Sequence, residues 1–216
     1  YPVRNLQQEA RVTRFAPSPT GFVHIGNFFQ ALISYINAKN TEGIFYLRNE
    51  DTDKKREKEG AVELILETLD HYEISPDEYE LNNKVYGNYE PYIQSKRKEL
   101  YRTFAKYLIE IGRAYPCFCT SEELSNLREL QTKDKARTGY YGKYAKCRNL
   151  SNGEIAKKIR LGMPYVIRFK SEGNFSNKFI FKDLVRGAIE FPENDFDIII
   201  LKSEDQLPTY HFAHVI

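Results

Sequence analysis

An α/β fold is what this sequence predicts: a doubly wound parallel sheet interrupted by a module of mixed helix and strand. Residues 11–72 alternate strand, helix, strand and helix by their apolar spacing. Beyond Asp77 that spacing breaks into capped helices and turn-linked strands, and near residue 196 an apolar strand brings the first pattern back. The expected division is 1–88 for the first part of the sheet domain, 89–195 for an inserted module and 196–216 for the return to the sheet domain.

Each element has a local reason. Residues 11–16 (RVTRFA) read as a strand that must end at Pro17, Ser18, Pro19, Thr20 and Gly21, a cluster in which neither regular structure continues. Ile25, Phe28, Phe29, Leu32, Ile33 and Ile36 then recur at helical spacing until Asn40 to Gly43. Residues 44–48 (IFYLR) form a second strand, and Val62, Leu64, Ile65, Leu66 and Leu69 mark a largely buried helix over 61–72. Residues 79–92, rich in Tyr, Asn and Gly, show no period and read as the crossing into the inserted module. A helix is expected from about Lys96 to Gly112. Two more are announced by the capping boxes Thr120 with Glu123 and Ser151 with Glu154, with an irregular stretch, GYYGKYAKCRNL, between them. Residues 165–191 read as strands joined by Gly- and Asn-containing turns. The apolar run 197–201 (DIIIL), which lacks alternation, predicts a strand covered on both faces of a parallel sheet. Pro208 is placed to open a last helix.

Composition narrows the function classes. The chain has 216 residues, 41% of them hydrophobic, enough for a substantial core, so disorder is not expected. Lys and Arg number 32 against 30 Asp and Glu, so any polyanion-binding face must be local. Three cysteines, Cys117, Cys119 and Cys147, are too few for a disulfide scaffold and point to a reducing compartment, the cytoplasm. No apolar run reaches the roughly 20 residues of a membrane span, and the amino terminus lacks the apolar stretch of a secretory signal.

Chemistry concentrates in three segments. Residues 14–27, RFAPSPTGFVHIGN, lie between the first strand and first helix, where an open α/β sheet binds ligands and a helix amino terminus offers N–H groups to phosphate. Alone, the prolines and glycine would make a stiff turn and His24 an ordinary helix-start residue. Residues 47–53, LRNEDTD, close the second strand beside that loop, and a carboxylate there can hold an ammonium group. The alternative is that Glu50, Asp51 and Asp53 balance Lys54, Lys55 and Arg56 on a solvated turn. The third segment, LPTYHFAH over 207–214, follows the DIIIL strand.

In this order the segments resemble class I aminoacyl-tRNA synthetases in the form used for glutamate. RFAPSPTGFVHIGN is similar to the A-P-S-P-T-G and H-I-G-H signature, with Asn27 in place of the last His, and LRNEDTD to R-x-E-D-T-D. KSEDQLPTY is similar to K-S-D-G-L-P-T-Y, one residue longer and without the glycine. The resemblance implies a Rossmann-like catalytic domain with an inserted domain that grips the tRNA acceptor end. It implies ATP with Mg²⁺, L-glutamate and tRNA as ligands, and no DNA or membrane partner. Thr20 and His24 would be the catalytic phosphate contacts, in an ATP site completed by Pro17, Ser18, Gly26 and Asn27. Glutamate would be held by Arg14, Ala16, Ser18, Glu50, Tyr210 and His214. Glu50 would take the α-amino group; Arg14 and Tyr210 would take the side-chain carboxylate.

Further features follow from the same likeness. Arg97, Lys143, Lys146 and Arg148 are candidate tRNA contacts, the last three interleaved with Tyr140, Tyr141 and Tyr144 as phosphate binding and base stacking require; a solvated charged face is the plain alternative. Cys117, Cys119 and Cys147 resemble part of a C-x-C and C-x-H zinc knuckle, but Asn149 holds the place of the His. Bound zinc is therefore not expected, and the cysteines are read as reduced, small apolar groups. The segment Tyr92 to Arg97 also resembles the family, without a chemical role that the residues reveal. The K-M-S-K-S motif does not occur before Ile216, so the chain is read as a fragment expected to bind ATP weakly and not to charge tRNA. The rival readings are a paralogue that glutamylates a queuosine-type base in tRNA, a small nucleotidyltransferase, and a non-catalytic tRNA-binding relic.

Overall fold

The computed structural model describes residues 3–53, 56–183 and 185–216. They fall into two compact units, 1–99 and 100–216.

The first unit begins as the spacing predicts. Strand β1 (Val12–Phe15) pairs in parallel with β2 (Ile44–Leu47), and α1 (Ile25–Lys39) makes the crossover. Gly43 lets the chain turn back: its N–H closes on Ala38 O at 2.9 Å, and Ile44 N donates to Arg11 O at 3.0 Å, the first bond of the β1–β2 ladder. A Cβ on Gly43 would lie 1.9 Å from that same Arg11 oxygen, so only glycine admits the approach. Helix α2 (Ala61–His71) buries Ile65 and Leu69 beside Phe15, Phe45, Leu47 and Ile74, with Ala31 and Ala38 from α1 completing this core. The apolar stripe of α1 is only partly used. Phe28 and Leu32 pack on the core, whereas Ile25 and Phe29 are exposed.

Where no period was visible, residues 79–86 form a hairpin of β3 (Tyr79–Leu81) and β4 (Lys84–Tyr86). Its two-residue turn puts Asn82 and Asn83 at φ 50° and 61°, the left-handed pair that a tight hairpin needs and that Asn tolerates. Strands of three residues are too short for alternation to show. The helix expected over 96–112 is a 3₁₀ turn, Gln94–Arg97, followed by α3 (Lys98–Glu110), which ends before Gly112 at φ +73°.

In the second unit β5 (Ala114–Cys117), β6 (Val166–Phe169) and β9 (Ile199–Leu201) form one sheet in the order β5-β6-β9. The DIIIL strand is thus not parallel: β9 pairs antiparallel with β6, Ile167 opposite Leu201 and Arg168 opposite Ile199. Two-sided burial gives an apolar run with either ladder direction, so the run alone could not decide. Strand β5, unannounced in the sequence, carries Pro116, which is tolerated because β5 lies at the sheet edge. Helices α4 (Ser121–Lys133) and α5 (Asn152–Arg160) begin at the two capping boxes, with Thr120 Oγ1 accepting from Glu123 N at 3.1 Å and Ser151 Oγ from Glu154 N at 3.3 Å. Strands β7 (Lys178–Asp183) and β8 (Gly187–Pro192) make a separate antiparallel hairpin. Helix α6 (Tyr210–Val215) starts after Thr209, two residues beyond Pro208.

Both units bury tyrosine hydroxyls. Burial, reinforced by a hydrogen bond to Glu78, pushes Tyr92 up to about 12 from an ordinary 10.0. Burial and hydrogen bonding to Asp197 raise Tyr115 further. A folded-state pKa above the unfolded one contributes stability that is complete below about pH 10 and is lost as pH rises toward 12, because the unfolded chain ionises first. Urea midpoints should therefore fall steadily above about pH 10. Tyr92→Phe should flatten part of that fall, and an unchanged pH slope in the variant would contradict the assignment.

Candidate active site

The first loop and the second motif are joined by backbone. Beyond the ends of β1 and β2, Arg48 N donates to Phe15 O, Glu50 N to Pro17 O and Lys58 N to Pro19 O, each at 2.9 Å. The parallel ladder thereby continues into the loop and sets Glu50 beside Pro17 and Ser18 at the carboxyl ends of the strands, the rim where open α/β sheets bind ligands. Pro17 and Pro19 are buried, Ser18 is exposed, and Thr20 N bonds back to Ser18 O at 2.8 Å. Gly21 has φ +134°, a conformation reserved for glycine, and the Lys58 amine lies 3.4 Å from where its Cβ would be.

His24 is the N-cap of α1. Its Nδ1 accepts from Gly26 N at 3.1 Å, which in a neutral ring fixes the proton on Nε2 and leaves that nitrogen a donor at an exposed helix start. The cap explains why His suits position 24, and the free donor beside the positive end of the helix dipole suits a phosphate. A Cβ on Gly26 would press on the His24 imidazole at 3.1–3.2 Å, so this glycine protects the cap itself.

Two of the LRNEDTD carboxylates, Glu50 and Asp51, are held by the fold, whereas Asp53 keeps to the solvated-turn reading. Glu50 pairs with Arg48, whose Nε and Nη2 reach Oε1 at 2.9 and 2.8 Å, while Asp51 accepts from Ser95 N at 2.8 Å and also from Ser95 Oγ. Asp53 pairs with Arg56 at 2.7 Å; Lys54 and Lys55 lie outside the described residues. The segment Tyr92 to Arg97 now has a role, as the buttress under this motif. Asn49 N bonds to Tyr92 O at 2.9 Å, Gln94 N to Asn49 O at 2.8 Å, and Tyr92 Oη donates to buried Glu78 at 2.8 Å. Arg97 donates to Pro91 O at 3.0 Å. Sequence reasoning missed Arg48 and Lys58; a basic residue two places before Glu50 was the available signal for the first.

In the second unit, Tyr210 opens α6, is 76% exposed and stacks on His214 one turn later at 5.8 Å. The loop before it keeps its turn without glycine: Gln206 adopts φ +60°, Asp205 Oδ1 accepts from Leu207 N at 2.9 Å, and Lys202 N closes on Leu207 O at 3.0 Å. The Tyr and Lys stretch is mostly committed to the fold. Tyr140 and Tyr144 are buried, Lys146 pairs with Glu123, and Arg148 bonds to buried Asp197 at 2.5 Å and Ser171 O at 2.6 Å. Lys143 is exposed, 3.8 Å from Asp134. Arg148, Tyr141, Asn149, Ser171 and Asp195 line an open polar cavity of about 440 Å³.

Cys117, Cys119 and Cys147 converge, their sulfurs within 4.8 Å of one another. Tyr140 Oη, itself accepting from Cys147 N at 3.0 Å, lies 3.3 Å from the Cys119 sulfur and 3.5 Å from that of Cys117, whereas Asn149 is exposed on the polar cavity. Three sulfurs supply three of the four donors of a tetrahedral zinc site, and burial raises the Tyr140 phenol, which remains a hydrogen-bonding neighbour of the sulfurs. Hydrogen bonding among the three sulfurs lowers the Cys117 pKa and raises that of Cys119.

A family profile described as tRNA synthetases class I (E and Q), catalytic domain, matches residues 11–216. The chain belongs to that family. Within it, the chain is 52% identical over 217 residues to the glutamate–tRNA ligase of Clostridium beijerinckii, and 49% identical over 216 residues to that of Acetivibrio thermocellus. Both alignments cover 100% of this chain but 39% of the relative, so the chain spans about two fifths of the length of the curated relatives it matches. The solved glutamate tRNA ligase of Elizabethkingia meningosepticum, a complex with its amino acid, superposes with a TM-score of 0.81 at 34% identity, over 96% of this chain and 41% of that one. The α/β architecture is therefore the Rossmann-like catalytic fold of class I synthetases. No helix among the described residues is long and apolar enough to cross a membrane.

Proposed function

We propose that this chain carries the glutamate-activating site of a glutamate–tRNA ligase. The observation that supports it most is the backbone zipper Phe15–Arg48, Pro17–Glu50, Pro19–Lys58, which brings a phosphate-binding helix start and a fixed carboxylate to one rim of a parallel sheet. In this reading the α-carboxylate of L-glutamate attacks the α-phosphorus of ATP, pyrophosphate leaves, and a terminal ribose hydroxyl of tRNA then displaces AMP. No protein nucleophile is needed; the residues position and stabilise charge.

His24 donates from Nε2 to phosphate, with Thr20, Pro17, Ser18, Gly26 and Asn27 around the nucleotide. Mg²⁺, when bound with ATP, neutralises charge on the departing pyrophosphate. Glu50 holds the substrate ammonium. Arg14, Ala16 and Ser18 of the first unit and Tyr210 and His214 of the second are the further proposed glutamate contacts, Arg14 and Tyr210 to its side-chain carboxylate. Lys143, Lys146, Arg97 and Arg148 are the proposed tRNA contacts, Lys143 the best presented by its exposure. The three free thiols support a reducing compartment, the cytoplasm.

Calorimetry with a non-hydrolysable sulfamoyl analogue of glutamyl-adenylate tests the reading. The chain should bind it, and Glu50→Gln should weaken binding about 10–100-fold, the range for one charge-assisted hydrogen bond. A chain that ignores the analogue would be a binding relic.

A further inference from the structure

Glu50 sits on a backbone fixed from both sides, yet a carboxylate on three side-chain torsions could still point several ways. Its N–H is tied to Pro17 O, and the next residue, Asp51, is clamped by Ser95. What settles the side chain is Arg48. Its guanidinium is 2% exposed, buried beneath the motif, and two of its nitrogens meet a single carboxylate oxygen, Nε at 2.9 Å and Nη2 at 2.8 Å from Oε1. Oε2 takes part in neither bond, and the Glu50 side chain keeps 20% exposure.

Two charged donors converging on one oxygen hold that oxygen in place and leave the other turned away from the arginine. A buried arginine bought at the cost of desolvation is a poor stabilising device by itself. It lies two residues before Glu50 at the end of a parallel strand, with its side chain turned back onto that carboxylate, so the pairing sets where the carboxylate points.

We propose that Arg48 is a positioning residue that presents Glu50 Oε2 to the α-ammonium group of the amino acid. The inference rests on the reading of Glu50 given above. Arg48 touches no substrate atom. It converts a mobile anion into a directed acceptor, so its loss should cost amino-group recognition specifically, not ligand binding in general.

The test uses two probes on the whole chain, the sulfamoyl analogue of glutamyl-adenylate and its counterpart lacking the α-amino group. The unsubstituted protein should prefer the amino ligand by about 10–100-fold. In Arg48→Met that preference should collapse toward the value found in Glu50→Gln, while affinity for the desamino ligand stays within about threefold. Arg48→Lys, which keeps the charge but offers no fork, should recover only part of the preference. An unchanged preference in Arg48→Met overturns the proposal. Equal weakening of both ligands also overturns it, since a merely structural arginine would act that way. Should Arg48→Met not fold, Arg48→Gln and Arg48→Lys carry the same ratio test. If the unsubstituted protein binds both ligands alike, the Glu50 reading itself fails, an outcome distinct from a failure at Arg48.

Discussion

Asp197→Ala is expected to destabilise the second unit by about 3–5 kcal/mol, the range for a buried charge pair deprived of one partner. Asp197 is 1% exposed and gathers three donors: Tyr115 Oη at 2.6 Å, Arg148 Nη1 at 2.5 Å and Ser171 N at 2.9 Å. Its own carbonyl accepts from Arg168 at 2.7 Å. Removing the carboxylate strands a part-buried guanidinium, a buried phenol and a backbone N–H together, and each unsatisfied group is costly. Hydrogen exchange read by mass spectrometry should show protection lost across residues 100–216 and retained in 1–99. Asp197→Asn keeps the shape and two acceptor sites, and should cost clearly less. Protection unchanged in Asp197→Ala would mean that the network does not hold the unit together.

Gly43→Ala should cost the first unit about 3 kcal/mol through overpacking that no rotamer can relieve. The added methyl would meet a backbone oxygen, Arg11 O, at 1.9 Å, and that oxygen is the acceptor of the first β1–β2 bond. Relief requires β1 to part from β2 at its start, which also loosens Thr41, whose Oγ1 accepts from Arg11 N at 2.9 Å. The urea midpoint of the first unit should drop, with the loss of exchange protection largest at Ile44 and Phe45. Gly60→Ala is the control. Nothing lies within 4 Å of its Cβ, so its cost should reflect only the left-handed φ of +76°.

Much of the first unit was legible because its signals are local. Helix α1 starts at a capping His and ends at Lys39, just before Gly43, and β1 runs directly into a proline-rich loop; in the second unit, likewise, both capping boxes lie where a Ser or Thr precedes Glu by three residues. The β3–β4 hairpin escaped notice because three-residue strands show no alternation, although adjacent asparagines were the turn signal. Strand β5 escaped because Pro116 speaks against a strand until the edge position is known.

By itself the sequence determined the family, the first βαβ unit and the caps, and it named the candidate nucleotide and amino-acid contacts, since each is written in neighbouring residues or in an ordered motif. Only the tertiary structure decided the direction of the β9 pairing, the clamp of Arg48 on Glu50, the Ser95–Asp51 buttress and the gathering of Tyr140 with three thiols. The reason is physical. Side-chain periodicity reports which face is buried and caps report where helices begin, whereas ladder direction and charge pairing depend on which distant segment arrives alongside.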